Sequence, residues 1–519
     1  MAAGLIDPSA PPGFAGVFTY HYDNSRDGVN PLETILTPAN VNSGNFGKLF
    51  SYPVDGYVYG EPLYVPGVSI PSVGVRNVVY VVTEHDSVYA FDADGLSPSP
   101  LWHTSFINPG AGITTIPYAD TGTDDIVPEI GITSTPVIDP SGVIYTVAAT
   151  KENGKYFQRI HALAITTGSE LAFSPQVIDP TVVGNGAGAI DHRVSFDALT
   201  EGQRSALTEV NGRIYIAFAS HGDNPPYHGW VLGYSATNLS LATMYIDTPN
   251  GSDGGIWQGG NGIAVDSAGA LYFVSGNGTF DANHGGLDYG GTALKLSRLA
   301  LNKKRVMRPT DYFAPHNQAS LSSTDEDMGD PGAVLLPDQT VGPAHLLITA
   351  DKNGTVYLLD RDHLGHYRPA GDTQIPQEVP GLLAGGDWTP PAVFNSVVYF
   401  SGYNEPLMAI PLIHGKLSPA DTVASSTVFD YPGVAPSISA DGTDSGIVWA
   451  IDSHLYRSSG PATLEAYDTG TMDQLYSSET NSVRDGAGPG VKFTTPTVAN
   501  GKVYIGTQTE LDVYGLLTP

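Results

Sequence analysis

The chain has 519 residues, 41% hydrophobic and 15% charged, with 61 Gly, 40 Pro, 28 Tyr and no Cys. This composition excludes a disordered tail, a charged coiled coil, disulfides, thiolate metal sites and cysteine nucleophiles, and it favours short strands between tight turns. The 23 Lys and Arg against 53 Asp and Glu leave a formal charge of -30, a field that repels nucleic acid and anionic membrane surfaces.

The opening Met1-Ala-Ala-Gly-Leu-Ile-Asp-Pro8 has neither the basic nor the apolar region of a secretion signal, and no later run reaches the roughly 18 apolar residues of a membrane span. A mature secreted or periplasmic chain would look the same, and the low charge density with abundant Gly, Tyr, Asn and Thr favours that location. Phe46-Gly-Lys-Leu-Phe-Ser-Tyr-Pro-Val54 reads as a spare outer strand. Beyond it one phrase returns eight times, an apolar strand that usually ends in Tyr. The copies are Asn77-Val-Val-Tyr80, Gly142-Val-Ile-Tyr145, Gly212-Arg-Ile-Tyr215, Ala270-Leu-Tyr272, His345-Leu-Leu-Ile348, Ser396-Val-Val-Tyr399, Gly446-Ile-Val-Trp449 and Gly501-Lys-Val-Tyr504. They are spaced by roughly 50–75 residues, the scale of a propeller blade with loop insertions. Pro-containing lead-ins precede most copies (Ser134-Thr-Pro-Val, Thr495-Pro-Thr-Val), and strands ending in Asp or Thr-Gly turns follow several (Leu464-Glu-Ala-Tyr-Asp-Thr-Gly470).

The pattern predicts an all-β fold in a single domain spanning 1–519. Residues 1–45 form an N-terminal extension, and residues 46–519 form an eight-bladed β-propeller of four-stranded antiparallel blades. Two stacked sandwiches would not require an eightfold phrase. The chain stops at Tyr514-Gly-Leu-Leu, one strand short, so an N-terminal strand is expected to close the last blade and remove the open sheet edge.

Asn24-Ser-Arg-Asp-Gly-Val-Asn-Pro31, Leu36-Thr-Pro-Ala-Asn-Val41 and Asp351-Lys-Asn-Gly-Thr-Val-Tyr-Leu-Leu-Asp-Arg361 resemble the signatures of the quinoprotein alcohol dehydrogenase-like propellers. That resemblance covers nearly the whole chain. It implies pyrroloquinoline quinone (PQQ) and Ca²⁺ on the ring axis, an alcohol or carbohydrate substrate, and an external electron acceptor, since no haem-attachment motif is present. It also implies roles for single residues. Trp257, in Gly254-Gly-Ile-Trp-Gln-Gly-Gly260, falls where the family stacks its quinone, and Asn277, in Ser275-Gly-Asn-Gly-Thr279, falls on a Ca²⁺ ligand. Asp288, in Asp288-Tyr-Gly, resembles the acidic residue that accepts the substrate proton beside the metal. Lys352 matches the cation aimed at the quinone oxygens, and Glu61 matches a Glu that looks into the funnel. Asn224 lands near the family's Ca²⁺-binding Glu, with Asp223 beside it. Asn-Gly and Asp-Tyr-Gly are also ordinary turn sequences. The chain departs from the family in lacking the adjacent cysteines over the quinone, in having Asn or a displaced Asp at the metal carboxylate, and in keeping only Trp102 of the outer docking motif.

Two constellations stand apart from the resemblance. Asp124, Asp125 and Glu129 form an acidic cluster before an inner strand, able to bind a cation or act on a glycan. His192, Arg193, Arg204 and His221 are the few cationic or titratable groups around the third unit, with Arg204 a candidate for holding an anionic cofactor or ligand. Three readings follow: a PQQ/Ca²⁺-type oxidoreductase acting on an alcohol or sugar hydroxyl, a cofactor-free propeller binding a ligand or partner protein in its funnel, and a glycan hydrolase or lyase.

Overall fold

A computed structural model describes residues 16–297 and 305–517, so the first fifteen residues, Met1–Pro8 among them, residues 298–304 and the two C-terminal ones lie outside the described part. Eight mainly antiparallel sheets follow one another along the chain as blades, and a separate two-stranded sheet, Thr181–Val183 with Arg193–Ser195, lies between blades 2 and 3 in sequence. Each of the eight sequence phrases lies on the second strand of its sheet, from Gly74–Thr83 in blade 1 to Lys502–Gly506 in blade 8. Blades 1 and 8 have four strands, and blade 2 carries an added pair, Ile113–Pro117 with Glu129–Ile130. The last blade is closed by Phe46–Pro53, antiparallel to Glu510–Leu516 with Phe46 opposite Leu516 and Pro53 opposite Glu510. No helix of the described residues is long and apolar enough to cross a membrane.

The recurring aromatic has a structural cause. Tyr80, Tyr145, Tyr399 and Tyr504 are all buried, so each phenol needs an acceptor. Each finds it in the next blade: Tyr80 donates to Ile165 O at 3.0 Å, Tyr145 to Ala236 O at 2.9 Å, Tyr399 to Thr469 O at 2.9 Å, and Tyr504 to Ala93 O at 3.3 Å. The last of these joins blade 8 to blade 1. The rings fill the apolar space between sheets while the hydroxyls tie neighbours together.

Residues 17–30 of the extension run around the axis and touch the inner region of every blade in turn. Val17 pairs with Tyr64 of blade 1, and Ile138 N of blade 2 donates to Phe18 O at 2.8 Å. Asn24 Nδ2 reaches Glu209 O of blade 3 at 2.9 Å. The amides of Val265, Leu335, Val393 and Ile438 then donate to Asn24, Ser25, Asp27 and Gly28 at 2.7, 2.9, 2.8 and 2.8 Å. Asn30 Nδ2 reaches Val498 O of blade 8 at 3.0 Å. The fully buried Arg26 anchors this segment, donating to Thr19 Oγ1, Tyr20 O and Thr208 Oγ1 at 2.8, 2.7 and 2.6 Å.

This arrangement buries acids, with a consequence for stability. Burial pushes the carboxyls of Glu61, Glu84 and Asp247 up to about 8 each. Between their ordinary range near 4 and about 8, the folded chain therefore holds protons that the unfolded chain has released. Each such group costs about 1.4 kcal/mol per pH unit as the pH rises through that window. Burial has the opposite consequence at His21 and His221, whose pKa values fall to about 3 and about 4, so below about 6.5 the unfolded chain binds the extra protons. Thermal unfolding should thus occur at a higher temperature near pH 6.5 than near about pH 8.5, with little further gain below. Melting curves across that range check it, and a midpoint that rises with pH would contradict these assignments.

Candidate functional site

The loops leading into the inner strands and those joining second to third strands converge on an axial cavity of about 180 Å³. Asp125, Arg204, Asp223, Trp257, Asp325, Asp330, Lys352, Trp388, Tyr431 and Phe493 line it, drawn from the loops of blade 2 round to the connection between blades 7 and 8.

Trp257 lies on the connection from blade 3 to blade 4, and Asn277 on the loop after the second strand of blade 4, Leu271–Val274. Gly276 brings these loops together: a Cβ there would stand 3.1 Å from Asp327 Oδ1 and 3.2 Å from Trp257 Cδ1, tighter than ordinary packing. After the short helix Gln318–Thr324, the chain delivers Asp325, Asp327 and Asp330 to the axis. Lys352, in the turn between the second and third strands of blade 5, meets all three carboxylates at 2.8, 3.0 and 3.2 Å. Burial works against its charged form, but Asp330, Asp327 and Asp325 outweigh it and hold the ammonium well above its ordinary pKa. Burial in turn raises Asp330, with Lys352 opposing. Three carboxylates facing one ammonium leave an excess of negative charge.

Asn277 joins this set. Its Nδ2 donates to Asp325 Oδ1 at 2.6 Å, while its own Oδ1 is buried with no donor. A buried carbonyl oxygen without a partner is costly, and a cation is one of the few groups that would satisfy it beside carboxylates.

The far wall is cationic and aromatic. Arg204 stands 4.2 Å from the centre of the Phe493 ring, and Lys492 pairs with Asp125. Trp388, Tyr431 and Phe493 form an edge-to-face chain with centroid separations of 5.6 and 6.1 Å.

Of the residues singled out in sequence, Trp257, Lys352, Arg204 and Asp223 line this cavity, and Asn277 adjoins it through Asp325. Burial raises the Asp223 carboxyl, against the hydrogen bond it accepts from Tyr227. Asn224 turns away, its Nδ2 on Thr121 O at 3.0 Å. Asp288 does not line the cavity. It is buried under the folded-back loop of blade 4, where its Oδ1 accepts the Asn250 N–H at 2.9 Å and its own N–H donates to Asp281. Glu61 likewise faces the N-terminal segment, accepting the His21 N–H at 2.8 Å and the Thr497 hydroxyl at 3.3 Å, because residues 17–30 occupy that part of the axis. The acidic cluster is divided: Asp124 meets Arg457 at 3.2 Å, Asp125 meets Lys492, and Glu129 meets His85 at 2.8 Å. Sequence reading missed Asp325, Asp327 and Asp330. Their signal is the run Asp325-Glu-Asp-Met-Gly-Asp330, three carboxylates spaced in a chain whose charged residues are otherwise sparse.

No family model and no curated protein matches the chain. Solved structures do. The quinohemoprotein alcohol dehydrogenase ADHIIG from Pseudomonas putida HK5 superposes with a TM-score of 0.60 at 14% identity, covering 97% of this chain and 80% of that one. The quinohemoprotein alcohol dehydrogenase from Comamonas testosteroni gives 0.58 at 14%, over 96% of this chain and 80% of its own. A europium-containing methanol dehydrogenase gives 0.60 at 14%, over 97% and 98%. At this identity the likeness is one of fold, and the chain has the eight-bladed propeller of the quinoprotein alcohol dehydrogenase type.

Proposed function

We propose that the axial cavity is the active site of an oxidoreductase that uses a quinone and a metal ion to oxidise an alcohol or sugar hydroxyl. The observation that carries the reading is the unpartnered Asn277 Oδ1, held beside Asp325 and a surplus of carboxylates next to Trp257. This donor set fits a hard cation: Asn277 Oδ1 and Asp327 would hold it, with oxygen ligands only, and Asp325 would stand beside it. Trp257 would support a planar quinone such as PQQ, and Lys352 and Arg204 would face its anionic oxygens. When bound, the quinone supplies the electron sink and the cation polarises its carbonyl.

The chain's own residues then bind and deprotonate the substrate. Asp325 has the most open side chain of the three carboxylates, 63% exposed against 3% for Asp327 and 16% for Asp330, so it is the one a substrate hydroxyl can reach. It is the proton acceptor in this reading, in place of Asp288. Lys352 holds its orientation, and Trp388, Tyr431 and Phe493 offer an apolar wall for the carbon skeleton. Electrons leave to an external acceptor, and a secreted or periplasmic location accords with the composition.

The test is reconstitution of metal-stripped protein with PQQ and either Ca²⁺ or Eu³⁺, the latter because one fold relative carries europium. Uptake is read from quinone absorption. Replacing Trp257 by Ala should weaken quinone binding by about 1–3 kcal/mol, by analogy with bases stacked on aromatics. Should wild-type protein take up no quinone at micromolar concentration with either ion, the oxidoreductase reading fails and the cofactor-free binding propeller takes its place.

A further inference from the structure

We propose that His316, Asp372 and Glu378 form a site for one divalent transition-metal ion of the zinc class, on the outer seam between blades 4 and 5. The three lie on separate segments. His316 follows the outer strand of blade 4, Pro309–Ala314. Asp372 sits in the long loop of blade 5, and Glu378 lies on that blade's outer strand, opposite Tyr357. The same loop crosses the seam, where His366–Tyr367 runs parallel to Phe313–Ala314. Despite these separate origins, one ligand atom from each residue lies within 4.8 Å of the others.

The ligands are also oriented in advance. The Asp372 side chain is fully buried and its carboxylate accepts the backbone N–H of His316 at 3.0 and 3.1 Å, while the His316 Nδ1 stands 2.9 Å from Oδ2. Gln374 Nε2 adds a bond to the same carboxylate at 3.3 Å. The bonds from the His316 amide and Gln374 are outer contacts of the kind that hold a metal ligand, here the Asp372 carboxylate, in place before the ion arrives. Two amide oxygens beside the triad in sequence, Asn317 Oδ1 and Gln374 Oε1, are buried with no donor.

The chemistry of the set selects the ion. A neutral imidazole with two carboxylates balances a charge of two, and a ring nitrogen favours zinc and its neighbours over Ca²⁺ or Mg²⁺, which prefer oxygen throughout. With metal–ligand bonds of about 2.0–2.1 Å, tetrahedral ligands stand roughly 3.3 Å apart, so the triad closes by a small side-chain adjustment. The His316 side chain is 38% exposed, which gives the ion a route in and leaves a coordination position for water. None of the three residues lines the axial cavity. An ion here would fasten blade 4 to blade 5 just before the helix Gln318–Thr324 that carries the chain to Asp325.

The experiment is equilibrium dialysis of the full chain, stripped with a chelator, against micromolar Zn²⁺ in the presence of millimolar Ca²⁺, with bound zinc counted by mass spectrometry. Wild-type protein should retain about one equivalent, and Co²⁺ in its place should give the ligand-field absorption of a nitrogen–oxygen site. His316→Gln and Glu378→Gln should each weaken zinc binding on the order of 100-fold or more. Zinc should raise the unfolding temperature of the wild type and leave that of both variants unchanged. Each variant's melting in chelator shows whether it is folded. If the wild type retains no zinc, or if a folded His316→Gln protein retains as much as the wild type, the proposal is overturned. The wild-type measurement decides the question even if both variants fail to fold.

Discussion

Asp325→Asn protein, loaded with PQQ and metal, is expected to lose dye-linked oxidation of alcohols or sugars by a factor of about 10²–10⁴ while still binding quinone. An amide keeps the side chain's size and can still meet Asn277 and Lys352, but it cannot accept a proton. The lost contribution therefore belongs to the transition state, so kcat should fall with little change in quinone affinity. Asp288→Asn is the control. Its carboxylate is engaged with the Asn250 amide away from the cavity lining, so its activity should stay within about tenfold of wild type. Equal losses in the two variants, or a larger loss in Asp288→Asn, would return the proton-accepting role to Asp288.

The second large effect is on stability. Arg26→Met should cost about 3–5 kcal/mol, because an apolar side chain of similar length leaves Tyr20 O, Thr19 Oγ1 and Thr208 Oγ1 buried without their donor. The loss should be visible residue by residue. The amides of Ile138, Val265, Leu335, Val393 and Ile438 donate to the N-terminal segment and should exchange with solvent hydrogen faster in the variant. Amides in the middle of the outer sheets should keep their protection until global unfolding. A change below about 1 kcal/mol with unaltered exchange would show that the segment is laid on the propeller rather than holding it.

Asp325 and Arg26 mark opposite limits of sequence reading. Arg26 lies in Asn24-Ser-Arg-Asp-Gly-Val-Asn-Pro31, a motif noticed for its resemblance, yet nothing local says that its neighbours will meet all eight blades. Asp325 lies in an acidic run that looks like a solvated loop, and it becomes part of a site only where blade 5 supplies Lys352 and blade 4 supplies Asn277. Asp288 has the turn chemistry and chain order that the resemblance calls for, and neither says which way its side chain faces. In the folded chain a backbone amide and the return of its own loop turn it away from the cavity.

The amino-acid sequence by itself determined the eight blades and the closure of the ring. These rest on local and periodic information: an apolar strand with a buried aromatic, repeated with its turns, and one spare strand at the start for a chain one strand short at its end. It also pointed to Trp257, Lys352, Arg204 and Asp223, whose residue types and motifs stand out in the chain. The tertiary structure alone decided which carboxylates face the axis, which are spent on backbone amides, and where the N-terminal segment goes. Those outcomes depend on loops from different blades meeting across the axis, and no sequence spacing encodes a distance between residues that the closing of the ring brings together.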